Sequence, residues 1–219
     1  MSNESENTRI VKDSMGKMEI PVDALHGAQT QRALNNFPIS GRKMPEEFIQ
    51  ALLLIKLNAA KANLQLKTLP DTIVNAIVDA CNELMEDKQL MNHFPVDVFQ
   101  TGSGTSSNMN ANEVIATVAT KKLGNEVNPN DHVNFGQSSN DVIPTAIQVS
   151  AVLTVNETLL PALKHLQSSI LMKADAVSKY CKTGRTHLMD AMPIRMDQSL
   201  ICWADQVKNN INQIESVTF

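Results

Sequence analysis

Residues 111–124 read ANEVIATVATKKLG, and their apolar spacing is the clearest indication of the fold class of the chain. Its apolar residues recur at the i, i+3, i+4, i+7 and i+8 spacing that places side chains on one face of an α-helix: Ala111, Val114, Ile115, Val118 and Ala119. Lys121 and Lys122 stand where basic residues favour the end of a helix, and Gly124 supplies a stop. The stretch therefore predicts a helix that begins after Ser106-Ser107 and ends at Gly124.

The same spacing continues on both sides of this helix. It predicts helices from Pro45 to Leu66, from Pro70 to about residue 88, and from Asp141 to Val177. A kink or break is expected in the last of these at Pro161, because an interior proline costs about 3 kcal/mol. After a loop over 184–193, a final helix carries apolar residues from Leu200 to Ile214 and is still running at residue 219. The chain is therefore expected to be a truncated piece of a helical bundle.

A short strand or hairpin near residues 18–22 is the only β-structure that the pattern predicts. The 219 residues are 42% apolar but only 4% aromatic, so the core must be built mainly from aliphatic side chains and methionine. The predicted class is all-α, or nearly so. We expect a first domain over 1–140 and the beginning of a second over 141–219.

Charge and composition exclude several functional classes. The formal net charge is −4, and the longest basic run is Lys121-Lys122, which argues against a nucleic-acid binder. Three cysteines without a CxxC spacing suggest neither a disulfide framework nor a metal site and favour a reducing compartment. The N-terminus does not resemble a secretory signal, and no run of about 20 continuous apolar residues predicts a membrane span. A cytoplasmic protein is the expectation.

Three polar, glycine-containing stretches interrupt the helical background, at residues 100–108, 128–141 and 184–190. Each lies before a predicted helix or between two helices. Hydroxyls and unpaired amides at helix N-termini form a cradle for carboxylates or phosphates. No stretch has the GxxxxGK[ST] spacing of a phosphate-binding loop, so a small carboxylate fits better than a nucleotide. Taken alone, the first stretch, at residues 101–108, would more often be a helix-capping loop.

Together the three stretches resemble the N-terminal conserved regions of the fumarase/aspartase superfamily, and most closely those of class II fumarate hydratases. The resemblance is carried by TGSGTSSNMNANEV at 101–114, QSSND at 137–141 and GRTHLMDA at 184–191. KDSMG at 12–16 and GAQTQR at 27–32 are similar to the family's N-terminal segment. The similarity covers nearly the whole chain from about Arg9.

The resemblance implies a lyase that adds water reversibly and anti across the double bond of fumarate, giving L-malate in the tricarboxylic acid cycle. It implies no metal and no organic cofactor. The dicarboxylate would be held by Ser103, Gly104, Thr105, Ser138, Ser139, Asn140 and Thr186. His187 would be the catalytic residue, because imidazole exchanges a proton near neutral pH. The family is a homotetramer built on a central helical bundle, so residues 141–219 would begin that bundle.

One stretch departs from the pattern of the family's fumarases. Fumarases carry histidine at the first position of a second dicarboxylate site, whereas this chain reads Asn128, Pro129, Asn130 and Asp131, as aspartate ammonia-lyases do. The second site is therefore doubtful and an aspartate ammonia-lyase remains an alternative, although His187 favours water over ammonia. Arg185 could contact substrate or pair with Asp190 or Asp141.

The family's third loop, with its catalytic serine and a substrate-binding lysine, does not occur within the 219 residues. By resemblance, each active site of the family draws residues from three subunits. We therefore expect the isolated chain to be inactive. A non-catalytic helical assembly module is the alternative from another functional class.

Overall fold

The computed structural model describes residues 7–218, which form two units, one extending to Ser150 and the other beginning at Ala151. Helices dominate both units, and each unit contains one antiparallel pair of strands. The predicted, mainly helical class is confirmed.

The first unit opens with the predicted hairpin. Strand β1 (Thr8–Asp13) pairs with β2 (Gly16–Pro21) in a register that sets Thr8 opposite Pro21 and Asp13 opposite Gly16. A short helix follows, α1 (Ala28–Asn36), which the sequence analysis did not predict. Its N-cap residue, Gly27, has no side chain to cap the first turn.

Three helices form the core of the first unit, close to their predicted bounds. They are α2 (Glu46–Gln65), α3 (Asp71–Glu86) and α4 (Thr105–Leu123). Aliphatic side chains fill the space between them, as the low aromatic content requires. Helix α4 is buried on almost every face, and its buried residues include amides and one carboxylate as well as apolar side chains. A polar residue on this helix therefore needs a partner inside the protein.

A nearly continuous helix follows and is interrupted as Pro161 predicts. It consists of α5 (Ser139–Thr154), a π-helical turn (Val155–Leu159) and α6 (Leu160–Val177). Pro161 has no N–H to donate to the preceding turn, so the backbone there widens instead of breaking. One 18-residue window of this helix has a mean hydropathy of 1.3 and is long and apolar enough to cross a membrane, by length and composition only. Core helices of soluble proteins satisfy the same criterion, so it is weak support for a span.

In the second unit, α6 is followed by a hairpin and a final helix. Strand β3 (Cys181–Thr186) pairs with β4 (Met189–Arg195), so the loop predicted over 184–193 is wrong. The final helix, α7 (Met196–Val217), packs antiparallel to α6, and Lys164 near the start of one pairs with Glu215 near the end of the other at 2.7 Å. The predicted apolar stripe of α7 is only partly covered within this unit: Ala204 and Ile211 are buried, whereas Leu200, Val207 and Ile214 are half-buried.

Candidate functional site

The first predicted stretch lies at the N-terminus of α4. Gly104 is the N-cap residue and has a φ of +68°, a left-handed conformation that favours glycine. A Cβ atom at this position would also lie 2.9 Å from Cγ2 of Ile143 on α5. On either side of the glycine, the hydroxyls of Ser103 and Thr105 lie 3.1 Å apart within hydrogen-bonding distance. Glycine is therefore required both by the backbone conformation and by the close approach of α5.

The second predicted stretch lies at the N-terminus of α5. The Ser138 carbonyl accepts the amides of Asp141 and Val142, and its hydroxyl accepts the amide of Asn140 at 3.3 Å. Ser138 thus caps the helix, as serine commonly does.

One hydrogen bond joins the two stretches. The Nδ2 atom of Asn108 on α4 donates to Oγ of Ser139 at 3.1 Å. Together with the contact between Gly104 and Ile143, it brings the first turns of α4 and α5 together. We refer to the six residues Ser103, Gly104, Thr105, Ser138, Ser139 and Asn140 as the hydroxyl corner.

The hydroxyl corner has the chemistry of a carboxylate site. Ser103, Ser138 and Asn140 are exposed, and Thr105 and Ser139 are half-buried, so a ligand can reach their polar groups. The first amides of each helix have no acceptor within the helix, and both helix dipoles are positive at this end. Hydroxyl and amide donors around a positive end suit an anion.

A buried polar network that the sequence analysis missed lies beneath the hydroxyl corner. Lys56 on α2 is fully buried, and its Nζ atom donates to Oδ1 of Asn134 and to Oε1 of Gln137, both at 2.9 Å. Asn108 and Asn112 on α4 also donate to Oδ1 of Asn134, at 3.2 and 3.1 Å. Burial lowers the pKa of Lys56 to about 7, while the nearby thiol of Cys81 acts in the opposite sense. In the sequence, Lys56 resembles an ordinary lysine beside an apolar stripe.

Residues 128–133 are held by local capping. Asn128 precedes a π-helical turn (Pro129–Val133), and its Oδ1 atom accepts the amides of Asn130 at 2.8 Å and Asp131 at 3.0 Å. The amide of Asn128 donates to Nδ1 of His132 at 2.9 Å. The side-chain oxygen of Asn128 is therefore already occupied.

A cleft of about 720 Å³ opens beside this turn, lined in part by Asn128, Asn130, His26 and Glu113. Glu113, a further residue that the sequence analysis did not single out, projects from α4 to the start of α1. Its carboxylate accepts the amides of Gly27 at 2.8 Å, Gln29 at 2.9 Å and Thr30 at 3.1 Å, together with the Thr30 hydroxyl. Glu113 thus supplies the cap that α1 lacks.

The third predicted stretch lies in the second unit, on the β3–β4 hairpin. Thr186 pairs with Met189, so His187 and Leu188 form a two-residue turn, with φ values of +50° and +59°. Both positive φ values match the type I′ hairpin turn, which normally uses asparagine or glycine. His187 and Thr186 are exposed at this turn. Arg185 stands opposite Asp190 in the strand register, and its side chain is exposed.

Throughout residues 7–218, no group of three or more His, Cys, Asp or Glu side chains is placed to hold a metal ion.

Comparison with known proteins identifies the family. The lyase family matches residues 16–218. The chain is 60% identical over 211 residues to a protein of Pseudomonas aeruginosa named fumarate hydratase class II 2, covering 96% of this chain and 46% of that protein. It is 50% identical over 218 residues to the fumarate hydratase class II of Halobacterium salinarum. The chain spans about half the length of these curated relatives and matches their N-terminal part.

Solved structures agree in fold. The class II fumarase of Schistosoma mansoni superposes with a TM-score of 0.92 at 39% identity, covering 96% of this chain and 46% of that one. A fumarate lyase:delta crystallin structure from Brucella melitensis gives a TM-score of 0.90 at 41% identity. Because the family match covers residues 16–218 and these relatives agree with it, the chain belongs to the lyase family and is most similar to the N-terminal part of its class II fumarate hydratases.

Proposed function

We propose that this chain supplies the carboxylate-binding half of a class II fumarate hydratase, which reversibly hydrates fumarate to L-malate in the tricarboxylic acid cycle. The observation that carries the proposal is the hydroxyl corner, where the first turns of α4 and α5 are joined by the hydrogen bond from Asn108 to Ser139. The names of the relatives, all at 46% identity or more, point to the same reaction.

In this proposal the hydroxyl corner binds one carboxylate of the substrate. Ser103 and Thr105 donate from one helix, and Ser138, Ser139 and Asn140 donate from the other. During hydration, the oxygen of water loses a proton and bonds to one alkene carbon, and the π electrons move onto the other carbon and its carboxylate until that carbon takes up a proton. Donors that are already oriented stabilise this charge without a cost of reorganisation.

His187 exchanges a proton with water or polarises it, and Thr186 contacts the substrate. Histidine is the side chain that most often transfers protons as a general acid or base, as this role requires. Both residues of the two-residue turn hold a left-handed backbone that non-glycine residues avoid. Such strain is concentrated at functional sites, and this supports a functional role for the turn.

The remainder of the proposal rests on family resemblance. The working enzyme is a cytoplasmic homotetramer in which other subunits and a further part of the polypeptide complete each site. We do not extend the proposal to a second dicarboxylate site at residues 128–131, because the Asn128 side-chain oxygen already accepts two backbone amides.

The test uses a chimera in which this chain replaces the matching N-terminal part of the Pseudomonas aeruginosa relative. We expect the chimera to hydrate fumarate, measured by loss of fumarate absorbance and formation of malate. The chain alone should show no turnover. A folded, tetrameric chimera without hydration would refute the proposal.

A pair of histidine variants then tests the assignment of the site. His187→Asn should lower kcat at least about a hundredfold, the usual contribution of a general acid or base. His165→Asn is the matched control, since His165 is an exposed histidine on α6. L-Aspartate is assayed in parallel, and ammonia release from aspartate without malate formation would favour the ammonia-lyase instead.

A further inference from the structure

The buried network beneath the hydroxyl corner joins three separate parts of the first unit. Lys56 comes from α2, and Asn108 and Asn112 come from α4. All three donate to one atom, Oδ1 of Asn134, in the segment that leads to α5. This oxygen is therefore the point at which two core helices hold that segment.

The segment from Val133 to Gln137 is also held by hydrogen bonds between its own residues. Nδ2 of Asn134 donates to the carbonyl of Gln137 at 3.2 Å, and Nε2 of Gln137 donates to the carbonyl of Val133 at 2.9 Å. Lys56 binds both side chains from below, at Oδ1 of Asn134 and Oε1 of Gln137. Because the next residue is Ser138, the conformation fixed here determines where the second half of the hydroxyl corner begins.

Among the described residues, Lys56 lacks the oppositely charged partner that a buried lysine usually has. Buried charges are normally paired with an opposite charge, but within residues 7–218 no ion pair includes Lys56. Its partners are two neutral amide oxygens, and burial lowers its pKa to about 7.

The network is also incomplete. In the described part of the chain, the Oδ1 atoms of Asn108 and Asn112 are buried without a hydrogen-bond partner. Each unpaired buried acceptor costs stability. An apolar residue at position 56 and fewer amides would make a simpler core, so stability alone does not explain the arrangement.

We propose that Lys56 is a positioning residue, which fixes the Asn134–Gln137 segment and thereby aims Ser138, Ser139 and Asn140 at the carboxylate of the substrate. The proposal rests on the proposed function for the identity of the ligand. The positioning itself can be measured without it.

The first experiment is hydrogen exchange on the full chain with the variant Lys56→Met. The reporters are the amides of Asp141 and Val142, which both bond to the Ser138 carbonyl. We expect their protection to fall about tenfold or more, since hydrogen bonds to charged groups are among the stronger ones. Protection within α3 should change less than about threefold.

A matched control separates positioning from general destabilisation. Leu52→Ala removes a fully buried side chain from the same helix, one turn away, and should lower protection throughout the core. If Lys56→Met gives the same uniform loss, or no change at Asp141 and Val142, the inference is wrong. Should Lys56→Met fail to fold, Gln137→Leu takes its place, because it removes one of the two acceptors of Lys56. Its protection at Asp141 and Val142 is then compared with that of Leu52→Ala in the same way.

The second experiment measures fumarate hydration in the chimera carrying Lys56→Met. A displaced carboxylate site should lower kcat/KM about tenfold or more, because the oriented donors both bind the carboxylate and stabilise the charge that develops on it. An unchanged kcat/KM would overturn the inference. If the unmodified chimera is inactive, the proposed function fails, whereas the exchange experiment still tests the role of Lys56.

Discussion

Replacing Lys56 by methionine should remove a pH dependence from the stability of this chain. The ammonium group is fully buried, and its pKa falls from 10.5 in the unfolded chain to about 7 in the folded protein. The unfolded state therefore binds one proton more than the folded state between these two values. Stability then rises with pH across this range.

The expected size follows from the two pKa values. Below about pH 7 the folded lysine is charged, and the full penalty is present. It fades as the pH rises and disappears above about 10.5. At about 1.4 kcal/mol per pH unit, the whole penalty is about 5 kcal/mol. Between about pH 7.5 and about pH 9.5, wild type should gain about 2 to 3 kcal/mol relative to Lys56→Met.

Urea unfolding of both proteins at several pH values measures this difference directly. The buried thiol of Cys81 interacts electrostatically with Lys56, and burial raises the pKa of that thiol to about 12. Its titration in the unfolded state is common to both proteins and largely cancels in the difference. Parallel stability curves for the two proteins over this range would show that Lys56 keeps its proton when buried, and would refute the reasoning.

Three further substitutions test how the first unit is held together. Glu113→Gln should destabilise the fold by about 2 kcal/mol in urea unfolding, because the amide cannot accept all the donors at the start of α1, and exchange protection should fall first in that helix. Gly104→Ala should lower the free energy of unfolding by about 2 to 4 kcal/mol, since the backbone there is left-handed and the new Cβ atom would lie 2.9 Å from Cγ2 of Ile143. Gly124→Ala is the control: its backbone is also left-handed, but nothing in the described part of the chain lies within 4 Å, so it should cost only about 1 to 2 kcal/mol. Equal costs for the two variants would show that the contact with Ile143 does not matter. Asp97→Asn should lower stability at neutral pH, because backbone amides, foremost that of Phe99, lower the pKa of Asp97 to about 2. That contribution is present above about pH 4 and is lost as the pH falls towards about 2, so the two proteins should converge in acid unfolding.

The local pattern was a good guide to the large helices. Apolar spacing and the Gly124 stop predicted α4, and Pro161 predicted the interruption before α6. It failed for α1, whose cap is the Glu113 carboxylate more than 80 residues away. It failed again for the β3–β4 hairpin, because the His187-Leu188 turn lacks the glycine or asparagine that marks such turns.

The candidate site, too, combines residues that the sequence singles out with contacts that only the structure shows. Resemblance singled out the residues of the hydroxyl corner, but their meeting depends on a hydrogen bond between Asn108 and Ser139, 31 positions apart. The Lys56 network lies between residues separated by as many as 81 positions. Helix class, helix ends and the candidate polar residues can be predicted from the chain, because periodicity and capping act within a few residues. Which distant polar groups meet inside the core depends on the folded structure, because a buried donor must find its acceptor wherever packing brings one close.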